Sequence, residues 1–332
     1  MRRREFLGAL AGAVAASPLA ARAESSARMR RIGVLIASAE GDGSSSLGLS
    51  GFRKGLEDLG WIEGRDIQYD LRWGRIDLDR IEMLARELVA LRPDVLLAHT
   101  TPVTAALQRQ TKSIPIVFVI VSDPVGSGFV ASLPHPGGNI TGFINIEASL
   151  GGKWAELLKE VSPAVDHAAL LFNPKTAPYF SSYAEPFRAA ARSLGIEPIL
   201  SPIQSGDEIE SVFGAVTARP NGSLVVAPDV FINLGNNLKL VVSLAERHRI
   251  PVVYPYRYMI TAGGLISYGI DQIDLYKRAP AYVDRILRGA SPAELPVQLP
   301  TKFEMVINLK TANALGLTLP ATLIGRADEV IE

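Results

Sequence analysis

The sequence contains no cysteine in 332 residues. A disulfide scaffold, a cysteine nucleophile and a thiolate metal site are therefore excluded, and no cysteine is present to carry a bacterial lipid anchor. Histidine is also scarce. His99, His135, His167 and His248 are scattered without metal-ligand spacing. Walker A, Gly-x-Ser-x-Gly and dinucleotide-fingerprint sequences are all missing, and no pair of carboxylates stands out as an acid and a base. We therefore expect no catalytic residues, no resident metal and no cofactor. Neither sign of charge is in excess, with 34 Lys+Arg against 34 Asp+Glu, so the basic footprint of a nucleic-acid binder is lacking. What is present is apolar: 48% of residues are hydrophobic, which excludes disorder and leaves ample material for a core.

The charge balance is set in part by the N-terminus. Met1-Arg2-Arg3-Arg4-Glu5-Phe6-Leu7 opens an Ala/Gly-rich apolar run that ends at Ala21-Arg22-Ala23. A basic head, a short apolar middle and an Ala-x-Ala exit describe an export signal over residues 1–23, and the paired arginines give it a twin-arginine (Tat) character; Sec export is the alternative. Cleavage near Ala23 takes the counts from 34 and 34 to 30 basic and 33 acidic residues, a net of −3. No later run is long and apolar enough to span a bilayer without charges or Pro/Gly breaks. The expected product is soluble and periplasmic, and is not a lipoprotein.

Short apolar runs then alternate with amphipathic ones. Ile32 to Ala37, Asp94 to Ala98 and Pro115 to Val121 read as buried strands, and Asp66 to Trp73 as an alternating one. Helices carrying Leu49, Phe52 and Leu56, then Ile81, Leu84 and Leu88, lie between them, with a third over Pro102 to Lys112. The pattern restarts after about residue 143, with strands at Ala168–Phe172, Glu197–Ile203, Ser223–Ala227, Pro251–Tyr254 and Leu265–Tyr268. Helices from Gln272 to Arg288 and from Asn233 to Arg249 fall in this half. The fold class is α/β, with two Rossmann-like units built on parallel sheets.

In such sheets ligands bind beyond the carboxyl ends of the strands. Those ends carry Gly41 to Ser46, His99-Thr100-Thr101-Pro102, Ser122-Asp123-Pro124, Asn173-Pro174 with nearby Tyr179, and Pro228-Asp229. Hydroxyls beside a helix N-terminus suit a carboxylate. His99 reads as structural, and Asp123 reads most simply as a cap. No capping pattern follows Asp229. Tyr179, Tyr254, Tyr256, Tyr258 and Tyr268 are candidates for an aromatic wall.

The block Val121-Ser122-Asp123-Pro124-Val125-Gly126-Ser127-Gly128-Phe129-Val130, followed by Pro136-Gly137-Gly138-Asn139-Ile140-Thr141-Gly142, resembles the hallmark of the ABC-transporter substrate-binding proteins with the type I periplasmic binding fold, relatives of the tryptophan- and tyrosine-binding receptors. Gly51 to Leu56, Gly60-Trp61, Gly264 to Gly269 and Asn308 to Ala312 resemble the same family. The resemblance implies two lobes joined by three hinge crossings, near Gly142–Ile146, Met259–Gly263 and Ser291–Pro296. Residues 30–143 and 262–292 would form lobe 1, and 144–261 and 293–332 lobe 2. It implies a ligand carboxylate held by Ser45 or Ser46 with Thr100, Thr101, Ser122 and Asp123, and an ammonium held by Asp229. Asn173, Tyr179 and Tyr268 complete the expected ligand-binding set. The partners implied are a small solute (an amino acid, a small carboxylate or an aromatic acid) and an inner-membrane ABC permease, with the receptor itself a monomer. An extracytoplasmic sensor and an exported enzyme are the alternative readings.

Overall fold

A computed structural model describes residues 28–145, 147–233 and 235–332. The export-signal reading of residues 1–23 lies outside the described residues.

The first half of the chain lays down β1 (Arg30–Ile36), α1 (Gly43–Asp58), β2 (Ile67–Trp73), α2 (Leu78–Ala90), β3 (Val95–His99), α3 (Thr101–Gln110), β4 (Ile116–Val121) and β5 (Ile140–Ile144). The second half continues with α4 (Leu150–Val161), β6 (His167–Phe172), α5 (Ser181–Ser193), β7 (Glu197–Pro202), α6 (Gly206–Thr217), β8 (Gly222–Val226), α7 (Val230–Asn233), α8 (Gly235–His248), β9 (Val252–Tyr254), α9 (Arg257–Thr261), β10 (Ile266–Ile270), α10 (Gln272–Leu287), β11 (Phe303–Asn308), α11 (Leu309–Leu315), α12 (Ala321–Ile324) and β12 (Glu329–Ile331).

Strands β2-β1-β3-β4-β5 form a wholly parallel sheet in lobe 1, and β12-β11-β10-β9-β8-β6-β7 a second sheet in lobe 2. β3, β4 and β5 are buried along their whole length, as a sheet covered on both faces requires. The second sheet departs from the expected parallel form, because β11 runs antiparallel to β10. The reason lies in the crossings: β10 leaves lobe 2 at Ile270, β11 re-enters it at Phe303, and these two residues pair.

Two crossings also fall later than expected. Residues 262–270 belong to lobe 2, because β10 pairs with β9 and β11; the second crossing is at Asp271. The segment around Ser291–Pro296 stays with lobe 1. The nitrogen of Val297 donates to the Leu133 carbonyl, Gln298 bridges Phe143, and the third crossing follows at 299–302. The crossings lie side by side, with the Asp271 nitrogen donating to the Lys302 carbonyl at 3.1 Å.

Helix α10 returns to lobe 1 and packs along α1. Gly48 permits the close approach, since a Cβ there would lie 2.5 Å from the Tyr276 ring. That contact fixes Tyr276, a residue of the cleft. The core is continuous across the lobes: Ile32, Val34 and Val119 of lobe 1 share a cluster with Leu171, Val226 and Tyr254 of lobe 2. Val230 of lobe 2 packs on the other lobe 1 cluster.

Candidate functional site

A cavity of about 630 Å³ lies between the lobes. Its walls are the carboxyl ends of the lobe 1 strands, the segment after β8 in lobe 2, and the crossing residues Asn145, Asp271 and Gln272. Size and placement suit a small solute.

The lobe 1 wall offers neutral donors. Nδ1 of His99 accepts from the Ala37 nitrogen at 3.2 Å, which assigns the proton of the neutral ring to Nε2. Burial pushes the pKa of this imidazole down to about 4, so it is neutral at pH 7. Thr100 takes φ 80 and ψ 163 at the N-cap of α3. That region is essentially reserved for glycine, and holding a β-branched residue there costs about 1–3 kcal/mol. Ile120, at the end of the neighbouring strand, has φ 59 at a register shift in β4. Both strained residues line the cavity. The hydroxyls of Thr100 and Tyr276 are buried there with no hydrogen-bond partner among the described residues.

The lobe 2 wall offers acceptors. Asp229 is 2% exposed. Its carboxylate accepts from the Asn173 nitrogen, the Thr176 hydroxyl and, at 2.9 Å, the Phe231 nitrogen. All three partners are neutral, and burial raises its pKa to about 6 against those bonds. The Phe231 bond corrects one expectation: Asp229 does cap a helix, the short α7. Asn233, at the end of that turn, donates Nδ2 to the Ala227 carbonyl at 3.0 Å. Its Oδ1 is buried without a partner among the described residues. Tyr256 and Tyr258 stack at 5.8 Å, and Tyr179 donates its hydroxyl to the Pro228 carbonyl. Burial raises the phenol pKa of all three.

Of the ten residues expected from the sequence, Ser45, Thr100, Tyr179 and Asp229 line the cavity. The others do not. Ser46 sits in α1, its nitrogen bonded to the Asp42 carbonyl. Thr101 accepts from the Ser122 nitrogen, and Ser122 donates to Asn145, so these two residues brace the cavity floor. Asp123 caps a turn by accepting from the Gly126 nitrogen at 2.8 Å, and a Cβ on Gly126 would collide with its carboxylate. Asn173 serves Asp229 through its backbone while its side chain accepts from the Lys175 nitrogen. Tyr268 stacks on Phe303 against the lobe 2 core. His99, read as structural, faces the cleft. Asn145, Asn233 and Tyr276 were missed. Only their place in the fold brings them to the site, although a polar residue just after β5 is a strand-end signal of the kind used for the others.

Two lobes of this topology closing on a cleft with donors on one side and a buried carboxylate on the other define a bilobal solute receptor. The chain belongs to the ABC transporter substrate binding protein family, whose family model matches residues 32–331. A tyrosine-binding protein of Clostridioides difficile strain R20291 is 27% identical over 270 residues, covering 80% of this chain and 76% of the relative. A domain from Streptococcus pneumonia solved in complex with L-Trp superposes with a TM-score of 0.83 at 28% identity, covering 91% of this chain and 100% of that one. A solved protein from Vibrio cholerae matches with the same TM-score at 27% identity, over 91% of this chain and 100% of its own. The fold is thus the type I periplasmic binding fold, and the protein is a substrate-binding protein of the ABC-transporter class, a receptor and not an enzyme. No helix among the described residues is long and apolar enough to cross a membrane.

Proposed function

We propose that this protein is a periplasmic receptor that captures a small amine-bearing aromatic solute of the amino-acid class and delivers it to an inner-membrane ABC permease. One observation carries the reading. Asp229 is a carboxylate buried at the cleft with only neutral donors around it. An unpaired buried charge is unfavourable, and a ligand ammonium supplies the missing counter-charge. The tyrosines of both walls supply flat apolar surface for a ring, and the named ligands of the relatives, tyrosine and L-Trp, carry both features. Contacts to both lobes favour the closed state, and closure is the signal the permease reads. The cleft is completed within one chain, which supports action as a monomer.

Thermal-shift screening of the amino acids and their amine and acid analogues tests the ligand class. A true ligand raises the melting temperature in line with RT ln(1 + [L]/Kd). If only amine-free acids stabilise the protein, the Asp229 reading is wrong. Export rests on Arg3-Arg4-Glu5-Phe6-Leu7. Changing Arg3 and Arg4 to Lys should leave an uncleaved precursor in the cytoplasm; normal export of that variant would exclude the twin-arginine route.

A further inference from the structure

The chain passes between the lobes at Asn145, at Asp271 and through 299–302, and one side chain outside the cleft touches the approach to every crossing. Arg278 lies on the second turn of α10, just beyond Asp271, and does not line the cavity. Its Nη1 donates to the Leu299 carbonyl at 3.1 Å and to the Thr301 hydroxyl at 3.4 Å, and its Nη2 donates to Oε1 of Gln298 at 3.3 Å. These bonds hold the third crossing. The guanidinium carbon also lies 5.2 Å from the ring centre of Phe143 on β5, the strand that leads into the first crossing. One turn back on α10, the Asp274 carboxylate is 3.7 Å from Nη1 of Arg278 and 3.4 Å from Nζ of Lys302.

The main chain strengthens the same connection. The Asp271 nitrogen donates to the Lys302 carbonyl, which ties the second crossing to the third. Gln298 is bonded to β5 on both sides: its nitrogen donates to the Gly142 carbonyl at 2.9 Å, and its carbonyl accepts from the Ile144 nitrogen at 3.0 Å. Asp271 caps α10 by accepting from the Ile273 and Asp274 nitrogens, so the second crossing runs straight into the helix that carries Arg278. That helix is seated on lobe 1 against Gly48. Arginine suits this grip. Its planar fork carries five N–H donors and a face that stacks on a ring, whereas lysine carries one point charge. The side chain is only 26% exposed, so water competes weakly for these charge-assisted bonds.

We propose that Arg278 is a positioning residue for solute capture. By gripping the three crossings on their lobe 1 side it makes them pivot as one body, which confines the lobes to a narrow range of mutual orientations. The dihedral changes of lobe motion then fall on the lobe 2 side of the grip, at Lys302 and its counterparts in the other crossings. Apparent affinity scales with the fraction of chains in the competent arrangement, so a loose pivot weakens binding with the cavity walls unchanged. This rests on the receptor reading above and is independent of which solute is bound.

The chain has no cysteine, so nitroxide labels can be attached through Arg86→Cys on α2 and Glu210→Cys on α6, two exposed positions on opposite lobes. Pulsed electron resonance on the labelled mature chain then gives the distribution of lobe–lobe distances, with and without L-tyrosine or L-tryptophan. Without solute, R278A should give a broader distribution than the parent. R278K keeps the charge beside Asp274 but not the fork, and should fall between the two; it carries the comparison if R278A does not fold. R285A removes an exposed arginine two turns further along α10 and should match the parent. At saturating solute R278A should return to the parent's distance, because its cavity is intact, while its Kd rises about tenfold as the competent fraction falls. An R278A or R278K distribution no broader than that of R285A overturns the inference, and so does a saturated R278A that stays broad, which marks a damaged fold. If neither amino acid binds the parent, the amino-acid reading of the cleft fails, and the unliganded widths still decide the role of Arg278.

Discussion

The two lobes present opposite halves of a hydrogen-bond vocabulary. Lobe 1 offers neutral donors on the ends of a rigid, fully parallel sheet, at positions held by strained backbone at Thr100 and Ile120. Lobe 2 offers acceptors, Asp229 and Asn233, on the one short turn of α7. The difference shows how a receptor achieves both orientation and closure. A ligand with an amine at one end and an oxygen at the other satisfies buried groups on both lobes only when they are together, so its differential affinity favours the closed form. Strain is tolerated on lobe 1, where the surrounding sheet over-determines the backbone. On lobe 2 the counterpart is electrostatic, a carboxylate kept out of water.

The division can be broken most severely at Asp229. Replacement by Ala removes the buried carboxylate of the lobe 2 wall and strands the Asn173 and Phe231 nitrogens. Calorimetry should show a loss of about 100-fold or more in amine affinity, with closure by small-angle scattering lost in parallel. Lobe 1 is tested at Thr100. The Ala and Gly variants both lose the hydroxyl and should bind about five- to tenfold more weakly. Gly also relieves the backbone, so T100G should be more stable than T100A by about 1–2 kcal/mol in denaturant melts; equal stabilities would show that the strain is not stored there.

A pH series separates the two roles of Asp229. Its carboxyl has an ordinary value of 3.8 and is raised to about 6 by burial. Between those values the folded chain holds a proton that the unfolded chain has lost. Its contribution to unliganded stability is therefore fully present near pH 4 and is lost as pH rises through about 6. Amine affinity runs the other way, because the ligand pairs with the ionised form. Melting temperature and affinity should have opposite slopes from pH 7.5 to 5, and D229A should flatten both. The smallest effect is expected at Tyr256→Phe. It removes the acceptor for Nδ2 of Asn145 at 2.8 Å, and affinity should fall about threefold, equivalent to about 0.7 kcal/mol. Scattering should show a more open unliganded chain.

Much of the fold was legible because it rests on local periodicity. The apolar runs at Ile32–Ala37 and Pro115–Val121 and the leucine stripe of α2 need no tertiary information to read as buried strands and a helix. The crossings were less legible, since Gly and Pro near Met259–Gly263 and Ser291–Pro296 mark turns without saying which sheet the next strand joins. At the site, Thr100 and Asp229 could be found because each follows an obvious strand. Ser122, Asp123 and Asn173 follow strands equally well, yet their side chains are turned to brace neighbours. Tyr276 lies mid-helix and gave no local signal.

By itself the sequence determined the order of strands and helices, the absence of thiols, and the family, all of which depend on residue identity and near-neighbour spacing. The tertiary structure alone decided which strand ends share a cavity, that α10 brings Tyr276 beside His99, and that Thr100 and Asp229 line one cleft from opposite lobes. Those facts depend on chain crossings between residues far apart in sequence. Burial, which turns an ordinary carboxylate or threonine into a demanding one, exists only once the lobes have assembled.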